Sequence, residues 1–195
     1  MFATLTGLGL STAAGLNAYI PLLVVGVLAN FTDRVKLPDG YAWLSNWGVL
    51  AVIAVLLLAE VVLDKIPAVD SVNDMIQTAV RPASGGVVFS ATSAAAELDS
   101  STWLTENPWL SWVLGILVAL AVHALKATAR PVVNVGTGGV GAPVMSTVED
   151  AGSLGVSLVA IFIPLLVIVL LIGLALLAWW VIRKVRRRRR GRSPG

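Results

Sequence analysis

The sequence predicts an all-α, polytopic membrane protein. Of its 195 residues, 57% are hydrophobic and 13% are charged, and the mean hydropathy is +0.87. Soluble domains carry about 25% charged residues, so this composition excludes a soluble domain. Four apolar stretches approach or exceed the roughly 17–25 residues that a spanning helix needs. They lie at 5–29, 47–63, 108–125 and 151–182. We therefore expect about four spanning helices in a single transmembrane domain, residues 1–182.

The first apolar stretch, 5–29, is predicted to be one spanning helix. No lysine or arginine precedes it, and it is longer than a signal-peptide core, which argues against a cleaved signal. Asn17 and the small residues near it suit contact between helices, with substrate contact as the alternative.

Tryptophans mark the edges of the apolar stretches, as expected at a membrane surface. They are Trp43, Trp47, Trp103, Trp109, Trp112, Trp179 and Trp180. The loops 30–46 and 97–108 are polar enough to lie in water.

Two further segments, 66–96 and 131–150, are moderately apolar but interrupted by proline and glycine. Backbone that leaves a helix at membrane depth must be covered by protein or line a watery cavity. We therefore expect both segments to be re-entrant, with a full crossing by one of them as the alternative. In the first, a short helix near 68–80 is predicted to end at Arg81-Pro82.

Parts of the sequence resemble one another. The three matched pairs are 43–45 with 109–111, 77–82 with 126–131, and 19–25 with 162–168. Their spacings differ, so they do not form one simple repeat. If both broken segments re-enter, the matched pairs run in opposite directions. That is an inverted-topology repeat, which is common in secondary transporters.

The charges divide sharply along the chain. Eight of the 14 lysines and arginines lie in the tail, 183–195, whereas the preceding residues keep six basic residues against 11 acidic ones. A basic cluster after a spanning helix is retained in the cytoplasm and attracts anionic lipid headgroups. We expect a cytoplasmic C-terminus anchored on the bilayer, and we expect no nucleic-acid partner, since no folded basic domain accompanies the tail.

Charged residues at the ends of two apolar helices are the main functional signal. Glu60 and Asp64 share one helical face, and His123, Lys126 and Arg130 share another. Each charge costs roughly 2.5–3.5 kcal/mol at the centre of a spanning helix, so such residues usually have a role. Two interpretations fit: a structural ion-pair network that joins the helices, or carboxylates that bind a proton or cation during transport.

Other polar residues support either a site or helix caps. Asp70 and Asp74 offer oxygen ligands, but Asp70 also suits a helix N-terminus. The sequence 146–149 has the form of a capping box, followed by Asp150. A helix from there to about 183 would need to lie partly within protein, to tilt, or to bend at Pro164. His123, the only histidine, suits either proton relay or a packed hydrogen-bonded role.

Residues 136–141 match G-x-G-x-x-G, but the strand and the ribose-binding acid of a dinucleotide site are missing. The amides of Gly138 and Gly139 are instead suited to an anion or to close helix contact. Arg81 and Arg130 are the expected partners of a phosphate or carboxylate group. There is no cysteine, which excludes disulfides and thiolate chemistry.

A resemblance to a known family is carried by four runs of sequence. They are 15–22, Asp64-Lys65-Ile66-Pro67 continuing to Arg81-Pro82, His123 through Arg130, and 146–150. Together they resemble the small bacterial integral membrane proteins grouped as domain of unknown function 4126, over residues 5–170. The resemblance implies a bacterial inner-membrane protein. It implies no particular activity, and the arginine-rich tail lies outside it.

We therefore expect a small secondary transporter or ion-coupled permease for an anionic substrate such as a lipid phosphate. A non-transporting scaffold or assembly factor is the alternative. No catalytic motif is recognised and no cofactor is expected, while the identity of any bound metal is left open. The expected partners are the lipid bilayer and a second copy of the chain in a homodimer. The predicted substrate-binding or ion-binding residues are Glu60, Asp64, Asp70, Asp74, Arg81, His123, Lys126, Arg130, Glu149 and Asp150, with Asn17, Gly138 and Gly139 as secondary candidates.

Overall fold

The computed structural model describes residues 2–94, 107–137 and 141–190. These residues confirm the all-α fold. The helices are α1 (Phe2–Leu16), α2 (Tyr19–Phe31), a 3-10 helix (Asp39–Ser45), α3 (Trp47–Leu63), α4 (Pro67–Ala94), α5 (Pro108–Gly136), α6 (Gly141–Phe162) and α7 (Leu166–Arg190).

Helices α1 to α6 run in alternating directions between two ends of the bundle. The network end is defined by Leu16, Asp64 and Arg130, which meet through polar contacts. The loop end is defined by Phe2, residues 33–37 and Phe162, which line one cavity. Helix α1 lies at the centre, where α4, α5 and α6 pack around it.

The apolar helices indicate a membrane protein. Among the described residues, Pro108–Arg130 of α5 and Gly141–Phe162 of α6 are long and apolar enough to cross a membrane. The 3-10 helix and α3, bent by 60°, make a third span if they are counted together. Helix α3 has apolar side chains exposed around most of its surface, including Val55 and Leu58 at 66% and 64% exposure. Such a helix suits contact with lipid.

The prediction of a single helix over 5–29 is wrong, because the chain turns back at Asn17. The Asn17 side-chain Oδ1 accepts hydrogen bonds from the backbone amides of Tyr19 and Ile20, at 2.9 and 3.1 Å. These amides begin α2 and have no partner within it, so the asparagine replaces the missing carbonyl groups. Two short apolar helices therefore replace the predicted span.

The prediction that a helix ends at Arg81-Pro82 is also wrong. Helix α4 continues through Pro82 to Ala94. Proline normally interrupts a helix because it lacks an amide and its ring contacts the preceding turn. Here tertiary packing favours continuation, since the residues after Pro82, from Gly85 to Phe89, are packed against α1 and α5. The path of segment 66–96 through a membrane stays a prediction.

The second broken segment, 131–150, is divided between two helices. Helix α5 passes through Pro131 to Gly136, and α6 starts at Gly141, so Ser146 lies inside a helix and the predicted capping box is wrong. The prediction of one span over 151–182 is wrong, because α6 ends at Phe162 and α7 begins at Leu166; a bend at Pro164 was one of the alternatives given for this stretch. Helix α7 extends to Arg190, so the first part of the predicted tail is helical.

Residues 95–106, 138–140 and 191–195 lie outside the described part, together with the predictions made on them.

Glycines allow α1, α4 and α5 to approach closely. A Cβ atom at Gly85 would lie 2.5 Å from Ala119 Cβ and 2.6 Å from the Gly115 carbonyl oxygen. A Cβ atom at Gly15 would lie 2.6 Å from the Ala119 carbonyl oxygen. Real Cβ atoms do not approach so closely, so only glycine fits at these contacts. The three helices therefore pack nearly backbone to backbone, which places their polar side chains within hydrogen-bonding distance.

Only part of the internal similarity fits an inverted repeat. Residues 77–82 and 126–131 lie on α4 and α5, which run in opposite directions. In contrast, residues 43–45 precede α3 and residues 109–111 lie in the first turn of α5. Both of these helices run towards the network end. The repeat therefore stays a prediction.

Candidate functional site

A buried ion pair joins α3 to α4. Arg81 is fully buried, and its Nη2 donates to Glu60 Oε1 at 2.9 Å; Glu60 is only 2% exposed. Its Nη1 lies 3.1 Å from His123 Nδ1 and 3.8 Å from Asp74 Oδ1. Because a guanidinium group can only donate, His123 Nδ1 accepts this hydrogen bond.

The hydrogen bonds around His123 specify its tautomer. Thr78 Oγ1 donates to the backbone carbonyl of Asp74 at 2.9 Å, which leaves its lone pairs free to accept. His123 Nε2 lies 3.0 Å from Thr78 Oγ1. Because this hydroxyl oxygen accepts, Nε2 carries the proton of the imidazole ring. With Nδ1 accepting from Arg81 and Nε2 donating to Thr78, the imidazole is neutral.

A second arginine gathers carboxylates from three helices. Arg130 Nη2 lies 2.7 Å from Glu149 Oε2 on α6 and 3.1 Å from Asp64 Oδ2 at the end of α3. Its Nη1 lies 3.4 Å from Asp74 Oδ2 on α4. Asp64 also accepts a 2.7 Å hydrogen bond from the side chain of Asn73. Arg130 thus ties α5 to three neighbouring elements.

Lys126 and Asn17 extend the network to the α1–α2 turn. Lys126 Nζ pairs with Glu149 Oε2 at 2.8 Å and donates to the backbone carbonyl of Leu16 at 3.2 Å. The Asn17 side-chain amide donates to Asp150 Oδ1 at 2.9 Å. The turn between α1 and α2 is therefore held by side chains of α5 and α6.

Helical periodicity explains why these side chains converge. His123, Lys126 and Arg130 lie three and four residues apart and form the polar buried face of α5. Glu60 and Asp64 are separated by one helical turn at the end of α3, as the sequence predicts. The close glycine contacts of α4 with α5 bring these polar faces together, and each of the three cations then meets a carboxylate from another helix.

The structure places every predicted site residue with a described side chain in one connected network. Its predicted members are Asn17, Glu60, Asp64, Asp74, Arg81, His123, Lys126, Arg130, Glu149 and Asp150. Asp70 lies near the start of α4, but its side chain is outside the described part, as are Gly138 and Gly139.

Comparison with known proteins identifies the family. A family model with the description Domain of unknown function (DUF4126) matches residues 4–184. The chain belongs to this family. The resemblance noted from the sequence is thereby confirmed, and the match extends into the first basic residues of α7. Comparisons with curated proteins and with solved structures found no match.

The charges of the network in this DUF4126 protein do not balance. Its described members include five carboxylates, on Glu60, Asp64, Asp74, Glu149 and Asp150, but three cations, on Arg81, Lys126 and Arg130. With His123 neutral, two negative charges lack a matching cation. Isolated buried charge is strongly unfavourable, so the surplus favours uptake of a proton or another cation.

Some buried polar atoms of the network have no hydrogen-bond partner among the described residues. They are Glu60 Oε2, Asp74 Oδ1, Gln77 Oε1 and Arg81 Nε. Three of these four atoms belong to Arg81 or to the carboxylates that face it. A buried polar atom without a partner costs about 1–3 kcal/mol, so this part of the network is less well satisfied than the part around Arg130.

Three polar residues of α4 join the network although they were not predicted as site residues. Asn73 binds Asp64, Thr78 binds His123, and Gln77 is only 2% exposed beside this face. The signal was present in the spacing, since 73, 77 and 81 lie four residues apart on one face of a helix. These residues were not chosen because neutral amides and hydroxyls give a weaker functional signal than charges at the end of an apolar helix.

The described residues contain no group of three His, Asp or Glu side chains arranged to hold a metal ion. A cavity of about 590 Å³ lies instead at the loop end, between the start of α1, residues 33–37 and the end of α6. Its lining on α1 reaches Thr6, so it is about 16 Å along the helix from Asn17 at 1.5 Å per residue. This cavity is separate from the ion-pair network.

Proposed function

We propose that this protein is a small ion-coupled secondary transporter whose substrate site is the buried ion-pair network. One observation carries the proposal: the described network holds more carboxylates than cations, and several of its buried polar atoms have no hydrogen-bond partner among the described residues. A purely structural network gains most when every buried charge is paired. A network in which some charges are unpaired can instead exchange a proton or an ion for a substrate.

The break between α1 and α2 supports this proposal. Secondary transporters commonly form their sites where discontinuous helices meet inside the membrane. Here the turn at Asn17 contacts Asp150, and the adjacent Leu16 carbonyl accepts from Lys126. Movement of either short helix would therefore change the surroundings of the charged site.

The proposed substrate is a small anion or an anionic lipid phosphate. Arg81, Lys126 and Arg130 would steer its charged group, whereas Glu60, Asp64, Asp70 and Asp74 would carry protons or a cation. Arginine suits this role because its planar donors match the oxygens of a carboxylate or phosphate.

The proposed setting is the bacterial cytoplasmic membrane, with several crossings and a cytoplasmic C-terminus. The matched family and the apolar helices support a membrane location, and the arginine-rich end of α7 supports the orientation. The same arginines would bind anionic lipid headgroups. A homodimer belongs to this proposal, because the exposed apolar surface of α3 suits either lipid or a second copy.

Flux measurement in proteoliposomes tests the proposal. The purified protein should move at least one labelled ion or small anion from a broad panel, and Asp64→Asn and Arg81→Ala should reduce that flux by tenfold or more while remaining folded. Circular dichroism and elution as a single species control for folding. If the wild-type protein moves none of the panel, the transporter proposal fails.

A second candidate, a membrane scaffold, is favoured by the pairing of Arg130 with three carboxylates. Such a hub stabilises helix packing without any transport. The scaffold predicts that every charge substitution lowers thermal stability and that none alters flux. The transporter instead predicts that Arg81→Ala lowers flux by far more than its effect on stability explains.

A further inference from the structure

We infer that Glu60 and Arg81 form a proton-operated anion site, in which protonation of Glu60 releases Arg81 to bind one oxyanion group. This inference rests on the proposed transport function and names its coupling ion and its substrate class. The coupling ion is the proton, and the substrate is a small anion with a carboxylate, phosphate or sulfonate group.

The two buried arginines differ in how firmly they are held. Arg130 contacts carboxylates from three residues, at 2.7, 3.1 and 3.4 Å. Arg81 has one close carboxylate, Glu60 at 2.9 Å, while Asp74 lies at 3.8 Å. Neutralising one carboxyl group therefore frees Arg81 but leaves Arg130 paired.

The unpaired atoms show where the proton and the anion would go. Glu60 Oε2 has no hydrogen-bond partner among the described residues, so a proton can be added there without displacing a donor. Arg81 Nε is likewise unpartnered, and the neighbouring Nη2 is bound only to Glu60 Oε1. These two N–H groups form one edge of the guanidinium fork, which binds the two oxygens of an oxyanion side by side.

The rest of the site keeps Arg81 in place during this exchange. Its Nη1 remains with His123 Nδ1 at 3.1 Å, on the opposite edge of the guanidinium group from Nε. The neutral imidazole is fixed in turn by Thr78. Arg81 can therefore exchange Glu60 for an external anion without leaving its own position.

The neighbouring charges are committed to other partners. The ionisable groups that face Glu60 and Arg81 are Tyr19 on α2, Asp64 at the end of α3, Asp74 on α4, and His123 and Lys126 on α5. Asp64 is paired with Arg130, Lys126 is paired with Glu149, and Asp74 lies closer to Arg130 than to Arg81. Among the described residues, Glu60 is thus the carboxylate that forms its only ion pair with Arg81.

The exchange conserves charge. Bulk water supplies one proton to Glu60, and one monovalent anion takes the place of the lost carboxylate charge beside Arg81. The total charge of the buried site is unchanged, so the large cost of burying an uncompensated ion is avoided. Release of the proton on the other side restores the Glu60–Arg81 pair and expels the anion.

Anion binding by the purified full-length protein tests this inference. The probes are methanesulfonate and sulfate, whose own charges do not change between mildly acidic and mildly alkaline pH. We expect the apparent Kd for methanesulfonate to rise about tenfold per pH unit above the titration of Glu60, because only the protonated fraction binds. Sulfate should show the same direction of pH dependence but bind more weakly, because its second negative charge is not compensated in the site. The Glu60→Gln variant resembles the protonated state and should bind both probes with no pH dependence.

A matched variant and a second readout separate the possible outcomes. Asp33→Asn neutralises an exposed carboxylate at the loop end, outside the network, so it should keep the wild-type dependence on pH. Arg81→Lys removes the fork and should abolish probe binding while the protein remains folded. The inference is overturned if Glu60→Gln keeps the pH dependence, or if neither probe binds the wild type or Glu60→Gln at any pH.

Flux distinguishes this inference from the transport proposal itself. If the wild type moves an anion in proteoliposomes but a pH gradient does not drive it, transport stands and the proton-operated site is refuted. If Glu60→Gln binds anions as expected but no flux is seen for the wild type, the anion site stands and the transporter proposal fails.

Discussion

Arg81 and Arg130 show that equal burial can serve different ends. Both guanidinium groups are almost inaccessible to solvent, at 0% and 6% side-chain exposure. Arg130 has carboxylates from three elements around it, so it holds the fold together at the network end. Arg81 shares its charge with one close carboxylate and a neutral histidine, so its surroundings can change at lower cost.

Arg130→Ala is expected to destabilise the protein strongly. The substitution leaves the carboxylates of Asp64 and Glu149 buried without their arginine, and breaking a buried pair in this way costs about 3–5 kcal/mol. Thermal unfolding of the purified protein in detergent measures the loss. Arg34→Ala, which removes an exposed arginine from the loop end, is the matched control and should leave the melting temperature unchanged. A similar melting temperature for both variants would contradict the assigned role of Arg130.

The charged members of the site were predictable from the sequence, whereas their pairing was not. Charge at the end of an apolar helix is conspicuous, and Glu60 with Asp64, or His123 with Arg130, share a face by spacing alone. Which carboxylate meets which arginine depends on the rotation and depth of neighbouring helices. Neutral members such as Asn73 were missed because an isolated amide or hydroxyl gives little signal in a sequence.

At the scale of the elements, glycine contacts fix the central helices. Gly85 and Gly115 leave no space for a side chain between α4 and α5. Gly155, on α6, has open space around it. Replacing glycine by alanine is therefore expected to lower stability at the close contact and to be harmless at the open position.

Gly85→Ala is expected to cost about 1–3 kcal/mol, because the new methyl group forces α4 and α5 apart. Gly155→Ala should instead be neutral or stabilise α6 by up to about 1 kcal/mol, since alanine has the higher helix propensity. Thermal unfolding of the two variants side by side checks the pair. Equal melting temperatures would show that the close approach of α4 and α5 is not needed.

Asn17→Ala tests the turn between α1 and α2. The change removes two hydrogen bonds to the start of α2 and one to Asp150, so we expect a loss of about 1–2 kcal/mol or slightly more. The comparison is Asn46→Ala, which removes the exposed cap of α3 and should cost about 1 kcal/mol. Unfolding monitored by circular dichroism gives both values. If Asn17→Ala loses less than Asn46→Ala, the turn does not depend on its asparagine.

The boundaries of the helices were the least predictable feature. Apolar composition alone does not distinguish one helix over 5–29 from two helices joined by a two-residue turn, because both bury similar side chains. Pro82 was expected to end α4, but its effect is local, whereas the packing of Gly85 and Phe89 against neighbouring helices acts over several turns. The length of the last apolar stretch exceeds the membrane thickness, which left burial in protein, tilting and a bend at Pro164 as alternatives, and only the packed structure distinguishes among them.

At the scale of the whole molecule, the alternating helices separate the two ends of the bundle. Lys65 lies at the network end, between α3 and α4, and Lys36 lies at the loop end; both are exposed. In the proposed orientation, α7 crosses the membrane from the loop end, where it begins, so that the network end and the arginine-rich end of α7 both face the cytoplasm. The family and the all-α class were both predictable from the sequence. The proposed orientation of the bundle can be tested by labelling one residue at each end.

Single cysteines report this arrangement without a background signal, because the chain contains none. We expect a membrane-impermeant maleimide to label Lys36→Cys in intact cells and Lys65→Cys only after the membrane is opened. The proposed orientation predicts these opposite results because the two positions lie at opposite ends of the bundle. Labelling of both positions from the same side would contradict it.

Helix α3 differs mechanically from the helices at the centre. Helices α4 and α5 touch backbone to backbone and form a stiff unit, whereas α3 packs mainly on α2 and the 3-10 helix. Its hydrogen-bonded links to that unit are the ion pairs of Glu60 and Asp64 and the amide of Asn73. When the Glu60 link opens, Asp64 still holds the C-terminal end of α3 to Arg130 and Asn73, so the end of the helix stays in place while the Glu60 side chain becomes free to move.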